Sequence, residues 1–135
     1  FNGEVAFHPS GREIGTVPIT LTEAAREDPL FSEIPEHFNA QISHQQSVIR
    51  LPLNALRLAA NEFEPNQAFR IGDTTWGIQF HPEFSAEVVR EYIIARSEAI
   101  SAEGLDPQLL LNAVKDTPHS VEVLQTFCGL VFGND

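Results

Sequence analysis

Apolar residues recur with period two through Trp76, Ile78 and Phe80, while Thr75, Gly77, Gln79 and His81 fall between or beside them. That alternation predicts a β-strand with one apolar face. Pro82 has no N–H to give a central ladder, so the strand is expected to end near it. Ser85 is placed to cap a helix beginning at Ala86, and Val88, Val89, Tyr92 and Ile93 supply its apolar stripe. Immediately upstream, Gln67 to Ile71, the turn Gly72-Asp73, and Thr74 to Phe80 read as a β-hairpin whose second strand delivers His81.

The rest of the chain follows the same logic. Gly3 to Phe7 reads as a short strand, and Glu13 to Leu21 as a longer one in which Pro18 marks an edge or a bulge. Thr22 is a candidate N-cap for a short helix over Glu23 to Arg26, ended by Asp28-Pro29. Phe38, Ala40 and Ile42 alternate within a strand from Glu36 to His44. After the polar interruption Ser43 to Ser47 come two further stretches, Val48 to Pro52 and the apolar run Leu56 to Ala60. The remainder is helical. Asp106-Pro107 opens one helix running to about Val114, and Thr117-Pro118 opens another ended by Gly133. On that last helix Val121, Leu124, Cys128 and Val131 share one face, which predicts a core-facing stripe with Cys128 inside it. No internal repeat or linker interrupts the pattern, so one α/β piece is expected.

Composition narrows the function classes. The 135 residues are 42% apolar, enough for one domain with a core. Nineteen acidic and eight basic residues give a net charge of −11, which argues against a nucleic-acid surface. No apolar run approaches a membrane span and no signal peptide is visible. A single cysteine allows no internal disulfide and suits a reducing, cytoplasmic setting. The chain opens at Phe1 and contains no methionine, which fits a piece of a larger protein or a mature enzyme processed at its N-terminus.

The chemistry concentrates at the strand exit. His81 and Glu83 lie between a strand and a helix, where open α/β sheets place ligands. An extended chain through Pro82 puts both side chains on one side. The imidazole can then act as a base while the carboxylate fixes its tautomer. A His-x-Glu spacing is common by chance, but the whole string Trp76-Gly77-Ile78-Gln79-Phe80-His81-Pro82-Glu83 is far more specific. It resembles the His-Pro-Glu segment of the class I glutamine amidotransferases, the glutaminase domains that supply ammonia to synthetases. Gly11-Arg12-Glu13-Ile14-Gly15, Asp28-Pro29-Leu30-Phe31, Ser43-His44, Leu51-Pro52 and Gln67-Ala68-Phe69-Arg70 extend the resemblance to stand-alone members similar to the glutaminase part of GMP synthase. It covers roughly Phe1 to Ser85.

The resemblance implies a three-layer α/β/α, flavodoxin-like fold with a mostly parallel central sheet, of which residues 1–135 form the C-terminal part. It implies that His81 is the general base and acid, that Glu83 orients it, and that His44, Gln45 and Gln46 lie beside bound glutamine, mainly through backbone. As a polar turn between strands, those three residues have an equally good structural reading. The family's nucleophile, a cysteine on a Gly-x-Cys-x-Gly elbow, has no counterpart here, and is expected upstream of Phe1. Cys128, in an apolar stripe without an elbow, is expected to be a core residue. The remaining histidines, His8, His37 and His119, show no metal-ligand spacing. The implied reaction needs no metal or organic cofactor; the implied partners are glutamine, the N-terminal part of the same domain and a synthetase accepting ammonia. Two alternatives stay open: a non-catalytic relative, and a γ-glutamyl hydrolase or peptidase on the same scaffold.

Overall fold

The computed structural model describes residues 1–133 and places the alternating stretches in strands β1 (Glu4–Phe7), β2 (Glu13–Leu21), β3 (His37–His44), β4 (Gln46–Arg50), β5 (Ala55–Ala60), β6 (Ala68–Ile71) and β7 (Thr75–Ile78). Helices α1 (Ala86–Ala95), α2 (Ser97–Ala102), α3 (Pro107–Ala113) and α4 (Pro118–Phe132) follow. Five strands form one sheet in the order β3-β2-β5-β6-β7, and β1 pairs with β4 apart from it.

The long β2 is an inner strand of this sheet, with partners on both sides. It pairs with β3 from Glu13 to Thr20, but with β5 only at Thr20 and Leu21. Pro18 therefore stands where the β5 side of the strand is free, the edge character its missing N–H requires. Beyond β7, Gln79 N–H donates to Gln67 O just before β6 at 2.9 Å, and His81 N–H reaches Gln41 O of β3, at the other end of the strand order, at 2.8 Å. The sheet curls around a core holding Phe31, Ile42, Leu58 and Phe80, with Phe38 edge-on to Phe80 at 5.9 Å. Each such buried side chain contributes about 1.5–3 kcal/mol. A second cluster, Ile14 with Val89, Ile93, Ile100 and Val114, fastens the helices to β2.

Every pairing among the described residues is antiparallel. This corrects the expectation of a mostly parallel sheet as far as these strands are concerned. The physical reason is in the connections: β6 and β7 are joined by three residues, too few for the crossover that parallel neighbours demand. Gly72, at φ 61°, opens that turn.

Two helix-level expectations also need correcting. Thr22 does not cap its neighbour; its hydroxyl donates to Arg57 O at 2.8 Å, and Glu23–Glu27 is a 3-10 helix. On α4 the face turned inward carries Ser120 and Val123, whereas Val121, Leu124 and Val131 are partly or largely exposed. Cys128 is exposed, not a core residue. The caps at Ser85, whose Oγ accepts from Val88 N, and at Asp106, whose Oδ1 accepts from Gln108 and Leu109 N, are as expected.

Gly77 has a steric role. It faces Phe69 across the β6–β7 pair, and a Cβ at position 77 would overlap the Phe69 ring. Gly77→Ala is expected to destabilise the protein by about 1–3 kcal/mol, because the ring must leave its rotamer. A denaturation midpoint unchanged from the parent would show that the ring moves freely.

Candidate active site

His81 lies three residues beyond β7, where Pro82 stops the ladder and Ser85 starts α1. Its position is fixed before its ring is considered. The His81 N–H is held by Gln41 O, and Phe84 N–H donates back to His81 O at 3.2 Å. Two residues earlier, Gln79 is tied through its side chain: Oε1 accepts from Val48 N at 3.1 Å, and Nε2 donates to Asn66 O at 2.8 Å. The approach to His81 is thus anchored to β3, to β4 and to the segment before β6.

The His81 ring is held on two sides. Nδ1 is 2.8 Å from Glu83 Oε1, and the ring stacks on Phe84 with centroids 4.1 Å apart and planes 7° from parallel. A carboxylate on Nδ1 keeps the proton there and leaves the Nε2 lone pair available. The His81 side chain is 34% exposed and that of Glu83 54%, so both remain within reach of solvent. A groove of about 390 Å³ adjoins them, walled by Leu30, Trp76, Ile78, Val123, Leu124 and Phe127. This couples a polar pair capable of moving a proton to an apolar wall capable of excluding water.

The other three candidates lie elsewhere. His44 Nε2 is 3.1 Å from Glu13 Oε2, and its Nδ1 is 3.0 Å from Gln46 O and 3.3 Å from Ser47 Oγ. Glu13, only 6% exposed, also accepts from Asn61 Nδ2 at 2.6 Å and Gln67 Nε2 at 3.0 Å. Ser47, His44 and Glu13 have the order of a nucleophile, base and orienter, but Ser47 is 1% exposed, which keeps its hydroxyl out of reach of a substrate. Gln45 Nε2 donates to Glu103 Oε1 at 3.1 Å. The hydrogen-bonded Arg12 guanidinium holds the Glu103 carboxyl below its usual value, against a smaller opposing effect of burial. Gln46 begins β4. None of the three lines the groove at His81.

Sequence reasoning missed the polar residues that support the site. Asp28 has a side chain with no exposure; its Oδ1 accepts from Leu30 N at 2.9 Å and from the Trp76 indole at 3.1 Å, and its Oδ2 lies 3.2 Å from Arg70 Nη1. Arg70 and Trp76 are cross-strand partners in the hairpin leading to His81. The only signal of this role in the sequence was the resemblance at Asp28-Pro29-Leu30-Phe31, since nothing in a period-two pattern links residue 28 to residue 76.

Residues 2–99 match the family model for glutamine amidotransferase class-I. The glutamine-hydrolyzing GMP synthase of Christiangramia forsetii is 42% identical over 84 residues, covering 62% of this chain and 16% of that protein. The corresponding protein of Thermosipho africanus is 37% identical over 84 residues, covering 62% and 15%. Among solved structures, a glutamine amidotransferase from Thermotoga maritima superposes with a TM-score of 0.74 at 24% identity, covering 98% of this chain and 56% of that one. A glutamine amidotransferase from Methylobacillus flagellatus gives 0.68 at 21%, covering 99% and 57%. These two structures establish likeness of fold. The chain spans under a fifth of the GMP synthases it matches and somewhat over half of the two solved chains.

Proposed function

This chain belongs to the glutamine amidotransferase class-I family, and we propose that it supplies the base and its orienting carboxylate to a glutaminase site that releases ammonia from the side-chain amide of glutamine. The observation carrying this reading is the His81 Nδ1–Glu83 contact of 2.8 Å beside an apolar groove. With Nδ1 protonated against Glu83, Nε2 takes the proton of a cysteine thiol as sulfur attacks the amide carbon. The same nitrogen returns the proton to the departing ammonia. A glutamyl thioester remains, and a water deprotonated by Nε2 hydrolyses it to glutamate and free thiol. In this reading the backbone of His44, Gln45 and Gln46 reaches glutamine from outside the groove that His81 lines.

The thiol comes from polypeptide outside residues 1–135. Cys128 is exposed on α4 and does not line the groove that contains His81. The parallel part of the domain's sheet belongs to that same polypeptide. Residues 1–135 are then the C-terminal part of one amidotransferase domain, working in the cytoplasm with a synthetase that accepts the ammonia. Among the described residues no helix is long and apolar enough to cross a membrane.

Ammonia release from glutamine is the test. The full-length protein is expected to produce it and to lose the activity when its nucleophilic thiol is alkylated. The 135-residue chain is expected to produce none, and Cys128→Ser should leave the full-length rate unchanged. Turnover by the isolated chain that disappears in its Cys128→Ser variant would overturn the assignment of the nucleophile. Cleavage of γ-glutamyl peptides in place of free glutamine would change the substrate.

A further inference from the structure

Gln41 touches the candidate base through its backbone and the helical layer through its side chain. It lies in β3 between Ala40 and Ile42, which point into the core, so its own side chain leaves the opposite face toward the helices. There it is wholly buried, and both ends of its amide are used. Oε1 accepts from Thr16 Oγ1 at 2.8 Å, and Nε2 donates to Lys115 O at 2.8 Å. Thr16, the cross-strand partner of Gln41 in the β2–β3 register, also accepts from Lys115 N at 3.2 Å. Two side chains thus satisfy both backbone groups of Lys115, as the edge of a strand would.

Lys115 stands in the short link between α3 and α4, and α4 carries Val123, Leu124 and Phe127 of the groove wall. On its other side, Gln41 O receives the N–H of His81. That is the last backbone donor before Pro82, which has none. Fixing the Gln41 side chain therefore fixes β3 against the α3–α4 link, and with it the distance between His81 and the wall it faces.

We propose that Gln41 is a positioning residue, with Thr16 as its partner, that sets His81 and the α4 wall of the groove relative to each other. The proposal rests on the glutaminase reading for its kinetic consequence, though not for its structural one. Gln41→Met keeps the length and volume of the side chain while removing both hydrogen bonds. It frees Lys115 O to seek water and lets β3 shift under His81. A displacement approaching 1 Å at a reacting group costs about 10²-fold in rate.

The experiment uses the full-length protein with Gln41→Met, Thr16→Val, both together, and Val89→Ala as a destabilised control. Val89 is buried in the second core cluster, away from the groove. Two readouts are taken: kcat and KM for glutamine, and hydrogen-exchange protection of the His81 amide by NMR. Gln41→Met is expected to lower kcat by tenfold or more with KM changed less than about threefold, and to reduce the protection of His81 relative to the core amides. Thr16→Val should do the same more weakly, and the double variant should lose little beyond Gln41→Met, because both act through Lys115. Val89→Ala should lose stability but keep kcat and the relative protection of His81. Parental His81 protection in Gln41→Met overturns the proposal. If the parent protein releases no ammonia, the glutaminase reading fails while the amide measurement still decides the role of Gln41.

Discussion

His81→Ala in the full-length protein is expected to lower kcat for glutamine hydrolysis by about 10²–10⁴-fold, with KM little changed. In the proposed mechanism the ring takes part in both proton transfers, so its loss acts on the chemical step. Glu83→Gln is the more informative companion. A glutamine at 83 can turn either its carbonyl or its amide toward Nδ1, 2.8 Å away in the parent. With the amide donating, the ring carries its proton on Nε2 and cannot accept one from a thiol. With the carbonyl accepting, the tautomer is right but the negative charge that stabilises the imidazolium is gone. Either way kcat should fall while KM stays near the parental value, the signature of an interaction made chiefly in the transition state. Initial rates over a glutamine series separate the two constants. Parental kcat in Glu83→Gln would remove its orienting role, and parental kcat in His81→Ala would remove the mechanism.

What could be read in advance divides along the range of the interactions. Features written in short stretches were legible. Phe38, Ala40 and Ile42 alternate into the core, Glu13–Leu21 is a strand from end to end, and Ser85 and Asp106 cap the helices that follow them. The His81–Glu83 contact was legible for the same reason, since two residues around a proline fix it locally. Features set by distant partners were not. Thr22 has the chemistry of an N-cap, yet its hydroxyl found Arg57 O across the chain. On α4 a stripe at Val121, Leu124, Cys128 and Val131 is as periodic as the one actually buried at Ser120 and Val123. Apolar residues cover more than one side of this helix, so periodicity offered two faces and the packing against β3 chose. Strand direction was misjudged for a related reason. The alternation of a strand is the same in either orientation, and the family resemblance pointed to a parallel sheet while the strands of this chain pair antiparallel. Gln41, Asp28 and Glu13 were invisible as supports because a buried polar side chain is recognised by its partners, and those are 25 to 74 residues away for Gln41.

Asp28→Ala should produce the largest loss of stability at any of these supports, about 3 kcal/mol. Removing one partner of a buried ion pair costs about 3–5 kcal/mol, and the lower end applies because Arg70 keeps 22% of its side-chain exposure and can be partly hydrated. The Asp28 side chain has no exposure at all, so its removal leaves the Trp76 indole N–H and the Leu30 N–H without their acceptor. Asp28→Asn should lose less, since an amide oxygen can still accept from Leu30 N and Trp76, although its Nδ2 then faces Arg70 as a donor in place of the carboxylate oxygen. The effect should be felt at the groove beside His81 as well as in the core. Leu30 and Trp76 both wall that groove, and Trp76 packs edge-on to Phe127 of α4 at 6.4 Å. Trp76 is the single tryptophan of these 135 residues, so its emission reports on this point directly. With the indole released, emission from the Asp28→Ala chain should shift to the red under native conditions, and the urea midpoint should fall further than in Asp28→Asn. A midpoint and emission maximum equal to the parent's would mean that the hairpin holds His81 without Asp28.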